Sequence, residues 1–161
     1  MNSARYYILG GLFIAAFIFS LVHNPRQKEL LTNPSKVACS QQYRNDGIVK
    51  FNKNIIRVEI VKTAKEMEKG LGGRTCIGAN QGMLFIFDQS DFYPFWMKDM
   101  KFPIDIVWLD SEKKVVYIKS DISPTSYPQT FVGTEPARFV LELQAGRALG
   151  LGLQPGSQVQ F

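Results

Sequence analysis

Histidine is almost absent from this chain of 161 residues, since the one histidine is His23, ahead of the region with the character of a folded domain. A Ser-His-Asp triad, a Cys-His dyad and an H-E-x-x-H zinc site each need a histidine inside the domain. Cysteine is nearly as scarce, with two residues, which excludes a disulfide-dense scaffold and a four-cysteine zinc site. The sequence also contains no Walker A loop. We therefore predict no metal and no cofactor.

The net charge of +5 does not indicate nucleic-acid binding. Much of it lies in the first 38 residues, where Arg5, Arg26, Lys28 and Lys36 face one acidic residue, Glu29. The rest of the chain is nearly balanced in charge, and no helix-turn-helix or RNA-binding aromatic motif accompanies its basic residues. We predict no nucleic-acid partner.

An uncharged apolar run is the clearest local signal at the N-terminus. Residues 6–22 contain no charged side chain and as a helix would span roughly 25 Å at 1.5 Å per residue, close to the thickness of a hydrocarbon core. Ser20-Leu21-Val22 does not provide a small-x-small cleavage site, which favours a retained signal anchor over a cleaved secretory peptide, the alternative. We predict a short tail over residues 1–5 and a transmembrane anchor over residues 6–22.

The side of the membrane is not decided by the flanking charges, because Arg5 and the α-amine balance Arg26 and Lys28. A single N-terminal segment followed by a whole domain, together with the cysteine usage, favours export. We predict a single-pass protein of the cytoplasmic membrane whose domain is extracytoplasmic. Cys39 and Cys76 could then form a disulfide worth roughly 3 to 4 kcal/mol on the loop-entropy model, and two free thiols are the alternative.

Residues 23–50 are predicted to be a linker, because prolines, asparagines, serines and glutamines interrupt any apolar period. The predicted domain covers residues 51–161. Its first strand is indicated by the alternation from Ile56 to Val61. Thr63 and Glu66 match a capping box at the start of one short helix.

Short runs rich in β-branched and aromatic residues follow that helix, separated by Gly, Pro, Asp or Ser. Strands of this kind must bury one face and protect their edges. The fold class predicted is mainly β, a β-rich α+β domain built as a small closed or partly open β-barrel with one or two short helices. The predicted strands are Met83 to Phe87, Tyr93 to Met97, Ile104 to Leu109, Val115 to Ile118, Phe139 to Leu143 and Gln158 to Phe161, with a hairpin loop at Asp110 to Lys113.

Five motif blocks, in this order along the chain, resemble the prokaryotic family called domain of unknown function 192. The resemblance implies a small β-rich, barrel-like domain, often exported or tethered by an N-terminal segment, and it implies no established activity. Met100 departs from the family pattern, which often has Thr or a similar small residue there. The blocks are Glu68-Lys69-Gly70-Leu71-Gly72-Gly73-Arg74, Gly82-Met83-Leu84-Phe85-Ile86-Phe87, Phe95-Trp96-Met97-Lys98-Asp99-Met100, Pro103-Ile104-Asp105-Ile106-Val107 and Val140-Leu141-Glu142-Leu143-Gln144-Ala145-Gly146.

Asp105 stands between two isoleucines in a segment that is apolar on both faces, so its carboxylate needs a partner. We predict pairing with Lys98 or Arg74. Such a pair either fixes strand register inside the core or belongs to a polar pocket that grips a ligand. The candidate ligand-binding residues are Arg74, Trp96, Met97, Lys98, Asp105 and Glu142.

Two classes of function fit these residues. The favoured one is a non-catalytic, membrane-tethered module that binds a small molecule or an envelope protein, because the usual catalytic side chains are missing. The alternative is a small histidine-independent hydrolase or transferase that uses Asp105, Lys98, Arg74 and Glu142. A water-accessible concavity joining Lys98 and Asp105 would indicate a site, whereas an ion-paired interior would indicate a scaffold.

Overall fold

The computed structural model describes Cys39 and residues 43–161. The predicted tail over residues 1–5, the predicted anchor over residues 6–22 and most of the predicted linker lie outside the described residues. Within the described part, no helix is long and apolar enough to cross a membrane.

A six-stranded sheet forms the body of the domain, in the order β1-β2-β3-β8-β5-β6. The β2–β3 pair is parallel and every other pair in this sheet is antiparallel. The short strands β4 and β7 pair separately. The strands are β1 Gly47–Phe51, β2 Asn54–Val61, β3 Gln81–Asp91, β4 Phe95–Trp96, β5 Ile104–Leu109, β6 Val115–Ile122, β7 Thr130–Phe131 and β8 Ala137–Gln144.

Within residues 43–161, two short helices accompany the sheet, α1 over Ala64–Lys69 and α2 over Arg147–Leu151. A 3-10 turn covers Pro124–Ser126. The predicted capping box begins α1. The Thr63 hydroxyl accepts a hydrogen bond from the Glu66 amide at 3.3 Å, and the Glu66 carboxylate accepts one from the Thr63 amide at 3.2 Å. The mainly β fold with short helices is thus confirmed.

The sheet is not closed into a barrel, which corrects that part of the predicted fold. Strands β1 and β6 are its edges and do not pair with each other. The C-terminal segment makes one bridge to each side, Gln160 with Lys50 and Gln158 with Lys114. A strand at Gln158 to Phe161 was therefore a wrong prediction, because the segment divides its hydrogen bonds between two edges instead of following one.

Strand β1 lies mostly inside the stretch predicted as linker. Its five residues pair with β2 through a tight hairpin in which Asn52 has a φ of 52°, and Val49 is buried. A strand this short, next to a polar stretch, shows too little alternation to be recognised. The folded part therefore begins before Phe51.

Both faces of the sheet are covered, which explains why β5 shows no polar alternation. The register aligns Leu84, Leu141 and Val107 on one face, here called the helix face, where the buried Ala148 and Leu151 of α2 pack in the same core. The opposite face, here called the loop face, is covered by the segments around residues 71–77 and 95–104.

Asp105 is fully buried on the helix face, opposite Leu143 of β8. One carboxylate oxygen accepts hydrogen bonds from the amides of Asp121 at 2.9 Å and Gly146 at 3.0 Å, and the other from the amide of Ala148 at 2.8 Å. Pairing with Lys98 or Arg74 was therefore wrong. Backbone amides take the place of a cation, because the chain at the start of α2 brings two N–H groups to the carboxylate.

Replacing Asp105 by Ala should destabilise the domain by roughly 3 to 5 kcal/mol, because three amide N–H groups in the interior would lose a charged acceptor. Asp105→Asn should cost less, since its amide oxygen can still accept two of the three bonds. Urea unfolding measures both values, and the exposed Asp88→Ala serves as control. An Asp105→Ala curve that overlays the wild type would contradict this role.

Candidate functional site

A cavity of about 210 Å³ opens on the loop face. It lies between the sheet, the end of α1 and the segment that contains β4. Aromatic and aliphatic side chains form most of its wall, one carboxyl group lies within it, and charged side chains stand at its rim. We call it the aromatic cavity; its lining comprises Met67, Glu68, Lys69, Gly70, Leu71, Gly72, Phe85, Phe87, Tyr93, Pro94, Phe95, Trp96, Lys98, Met100 and Glu142.

Glycines after α1 bring two loops together to form the cavity. Gly70 ends the helix with a φ of 47°, and a Cβ on it would lie 3.9 Å from the Glu142 Oε2 atom. A Cβ on Gly72 would lie 2.9 Å from the Lys69 carbonyl oxygen, closer than side chains tolerate. The Gly73 amide donates to the Asp99 carbonyl at 2.8 Å, which joins the loop after α1 to the loop after β4.

The aromatic walls are ordered by contacts among the rings. Phe85 and Phe95 meet edge to face with their centroids 4.9 Å apart, and Phe87 stacks on Tyr93 at 3.5 Å. Trp96 is 42% exposed although it lines the cavity. Four rings in pairwise contact therefore line the cavity, and the indole of Trp96 lies between the cavity and solvent.

Glu142 is the polar group of the cavity. It belongs to β8, aligned with Met83 of β3 and Ile106 of β5 on the loop face, and its side chain is 4% exposed. No described residue donates a hydrogen bond to its Oε2 atom. Burial raises the pKa of Glu142 to about 8, and the positive charge of Arg74 lowers it by a smaller amount. The carboxyl is consequently mostly protonated at neutral pH.

Arg74 is held by a second buried carboxylate, Glu59, which is 2% exposed. The two guanidinium Nη atoms lie 2.6 and 2.8 Å from the two Glu59 oxygens. The Arg44 amide also donates to Glu59, at 2.9 Å. A bidentate ion pair with an added amide donor stabilises a carboxylate well, so the role of Glu59 is structural. Arg74 does not pair with Glu142 in the same way.

The structure brings three of the six candidate residues to one place, since Trp96, Lys98 and Glu142 line the aromatic cavity. Met97 is buried in the loop-face core and Arg74 pairs with Glu59. Asp105 lies on the helix face. It is fully buried there and does not line the aromatic cavity to which Lys98 belongs. Both cysteines, Cys39 and Cys76, are disulfide-bonded in the structure.

Several residues of the cavity were missed from the sequence, above all Phe87 and Tyr93. Both residues lie in predicted strands, Met83 to Phe87 and Tyr93 to Met97, but neither is among the candidate ligand-binding residues. The sequence feature that could have indicated these residues is the high density of aromatic side chains around Pro94, with few polar residues between them. Distinguishing a cavity wall from a filled core needs three-dimensional packing.

The donor set favours an organic ligand over a metal ion. No group of three or more His, Cys, Asp or Glu side chains that could hold a metal occurs in residues 43–161 or at Cys39. A protonated carboxyl both donates and accepts a hydrogen bond, and aromatic walls favour apolar or cationic groups. The arrangement suits a small molecule with one polar group directed inward.

These features define a mainly β domain with a buried, carboxyl-containing cavity. The DUF192 family, described as uncharacterized ACR, is matched over residues 47–161, and the chain belongs to this family. The resemblance drawn from the five motif blocks is thereby confirmed. Four of those blocks contribute residues to the aromatic cavity. No curated protein matches the chain.

The domain is similar to solved structures, including these two. One is a protein of unknown function from Novosphingobium aromaticivorans, 30% identical, which covers 71% of this chain and 84% of its own with a TM-score of 0.67. The other is a protein from Sinorhizobium meliloti that carries the description of a transcription regulator. It is 28% identical and covers 70% of this chain and 89% of its own with a TM-score of 0.65.

The pKa of Glu142 makes stability depend on pH. Because the folded pKa of about 8 exceeds the ordinary value of 4.5, the folded state binds more protons than the unfolded state between these values. The free energy of unfolding should therefore fall as pH rises through this window, by at most about 1.4 kcal/mol per unit. Glu142→Gln should remove that component.

Urea titrations from pH 5 to pH 9 on the wild type, Glu142→Gln and the exposed Glu112→Gln test this expectation. Glu112→Gln should follow the wild type. A wild-type curve parallel to that of Glu142→Gln would show that the buried carboxyl does not titrate in this window.

Proposed function

We propose that this domain is a non-catalytic binding module and that the aromatic cavity is its ligand site. The observation that carries the proposal is the Glu142 Oε2 atom, which is buried beside the cavity with no hydrogen-bond donor among the described residues. Each such group in a native interior calls for an explanation. A ligand that supplies the missing hydrogen bond is the explanation consistent with the surrounding walls.

Energetics support a bound state. Leaving a buried polar group unsatisfied costs on the order of 1 to 3 kcal/mol, more when it is charged. The domain bears this cost although Asp105 and Glu59 show that the same sheet satisfies its other buried carboxylates. Binding a complementary group at Glu142 would recover that energy, which gives the ligand a specific attachment point.

The size of the cavity supports a small ligand. An apolar cavity of about 150 Å³ accommodates a benzene ring, so about 210 Å³ suits a ring or branched chain with one or two substituents. A single side chain presented by an envelope protein would satisfy the same volume.

The enzyme alternative receives less support from the geometry. A hydrolase or transferase using Asp105, Lys98, Arg74 and Glu142 needs these side chains around one reacting atom. Asp105 lies on the opposite face of the sheet from Glu142, and both Glu59 oxygens engage Arg74. Lys98 and Glu142 remain together at the cavity, which is sufficient for binding.

Membrane attachment and export are part of the proposal. Residues 6–22 would anchor the chain and leave the domain on the extracytoplasmic side. The uncharged run supports the anchor, and the disulfide-bonded state of both cysteines fits an oxidising compartment better than the cytoplasm.

Native mass spectrometry of the full-length chain, released from a mild detergent, should detect a retained small molecule on the wild type. Glu142→Gln and Trp96→Ala should reduce its occupancy, because one removes the polar anchor and the other a cavity wall. The matched controls are Glu112→Gln and Phe92→Ala, whose side chains are exposed outside the cavity. Equal losses in variants and controls would argue against the cavity as the site.

The predicted topology can be tested in intact cells. A membrane-impermeant maleimide should label Cys76 only after reduction, because the disulfide-bonded thiol is protected and the domain faces outward. The intact mass of the chain in membrane fractions should retain residues 1–22. Continued protection of Cys76 after reduction would contradict export, and a mature chain beginning near residue 23 would contradict the retained anchor.

A further inference from the structure

We propose that the aromatic cavity binds an amino-acid-like zwitterion, with a primary ammonium group at Glu142, an apolar body against the aromatic rings and an anionic group at the lysines of the rim. This inference rests on the proposed function and adds the chemical class of the ligand. Three features of the cavity support this inference: the Glu142 carboxyl at its floor, the aromatic rings of its walls and the lysines at its mouth.

The floor requires a hydrogen-bond donor. The Glu142 Oε2 atom is an acceptor with no donor from any described residue, at the point where the chain at Gly70 passes without a side chain. An ammonium group with N–H bonds would both donate to this oxygen and neutralise the carboxylate, which makes a short, charge-assisted bond. A quaternary ammonium lacks N–H bonds and would leave the oxygen without a partner.

The walls accept a cation and an apolar body together. Aromatic ring faces attract a cation within about 6 Å of their centroids, and the same rings bury hydrocarbon favourably. Phe85 and Phe95, packed edge to face, are on this wall. A purely polar ammonium compound would leave most of this surface unmatched, so the ligand needs an apolar portion.

The mouth of the cavity is basic. A groove of about 730 Å³ continues from it and shares Glu68, Lys69, Gly72, Lys98 and Met100 with the cavity lining. Lys65 and Lys101 extend this groove, whereas Glu68 and Asp99 supply its acidic side chains. Lys98 is 45% exposed and lies 3.9 Å from Glu68, a loose pair at the surface. The excess of lysines attracts a carboxylate or phosphate.

Charge balance favours a zwitterion over the simpler ligands. A plain amine would leave the lysines of the rim without an anion, and a plain carboxylate would bring no N–H donor to the Glu142 Oε2 atom. A zwitterion satisfies the floor and the mouth at once and adds no net charge to the site. We therefore infer that recognition depends on both of its charged groups.

The pH dependence of the affinity shows which group of the ligand contacts Glu142. An ammonium group needs the ionised form of Glu142, so binding near neutral pH must release the proton that this carboxyl carries. Affinity should then rise by about tenfold per pH unit below a pKa of about 8 and level off above it. A neutral ligand that accepts a hydrogen bond from protonated Glu142 would instead bind with nearly constant affinity below this pKa and more weakly above it.

The test is isothermal titration calorimetry of the full-length chain in a mild detergent. L-leucine and 6-aminohexanoate are the zwitterionic probes, with short and long charge separation. The companions 3-methylbutylamine and 4-methylpentanoate each lack one charged group. We expect at least one zwitterion to bind about tenfold or more tightly than either companion, with proton release measured from buffers of different ionisation enthalpy.

Variants separate the two ends of the ligand. Glu142→Gln should weaken the binding of the zwitterion and of 3-methylbutylamine alike, whereas Lys98→Gln should weaken the binding of the zwitterion and not that of the amine. Glu112→Gln should alter neither. Loss of the difference between zwitterion and amine in Lys98→Gln is a readout that general destabilisation would not produce.

Two kinds of failure are distinguishable. Tighter binding of 4-methylpentanoate, or an affinity that does not rise between pH 6 and pH 8, would overturn the zwitterion assignment. So would a retained molecule in native mass spectrometry that lacks an amine. These results would leave the proposed binding function intact. Absence of binding by all four probes together with an empty cavity in the native spectrum would overturn both.

Discussion

The burial of carboxyl groups in a sheet that is covered on both faces constrains the rest of this domain. An ionised carboxylate removed from water costs several kcal/mol unless it is paired or hydrogen-bonded. Three carboxyl groups are nevertheless buried in the described part of the chain, those of Glu59, Asp105 and Glu142. Backbone amides satisfy Asp105, a bidentate guanidinium satisfies Glu59, and no described residue donates to one oxygen of Glu142.

The three buried carboxyl groups have different roles in the fold. Asp105 ties β5 to the start of α2 and so fixes the cover of the helix face. Glu59 holds Arg74 beside the loop that follows α1. That loop, with its glycines, is then free to pass close to Glu142 and to form one wall of the aromatic cavity. The carboxyl that lacks a donor is thus surrounded by the parts of the chain that the other two stabilise.

Local features of the sequence predicted local structure well. The capping box from Thr63 to Glu66, the strand at Ile104 to Leu109 and the hairpin loop after it all occur as expected. Each depends on residues within a few positions of one another, where propensity and hydrogen bonding act directly. The motif blocks were likewise sufficient to recognise the family.

Long-range features were predicted poorly for an equally definite reason. Asp105 and Glu142 were grouped as one site, but the β5–β8 register places Asp105 opposite Leu143 and Glu142 opposite Ile106. Because side chains alternate across a strand, a shift of one residue moves a group to the other face. Both strands are buried on both faces, so no polar alternation in the sequence revealed which carboxyl faced which way.

The sequence alone determined the class of the domain, its short capped helix and the chemistry that is missing from it, because composition and neighbouring residues carry that information. Only the tertiary structure decided that the sheet stays open and that Asp105 is satisfied by amides. It also decided that Glu142 lies in an aromatic cavity without a donor from any described residue. Those outcomes depend on which distant segments pack against each other across the sheet, because that packing determines which buried polar groups find hydrogen-bond partners.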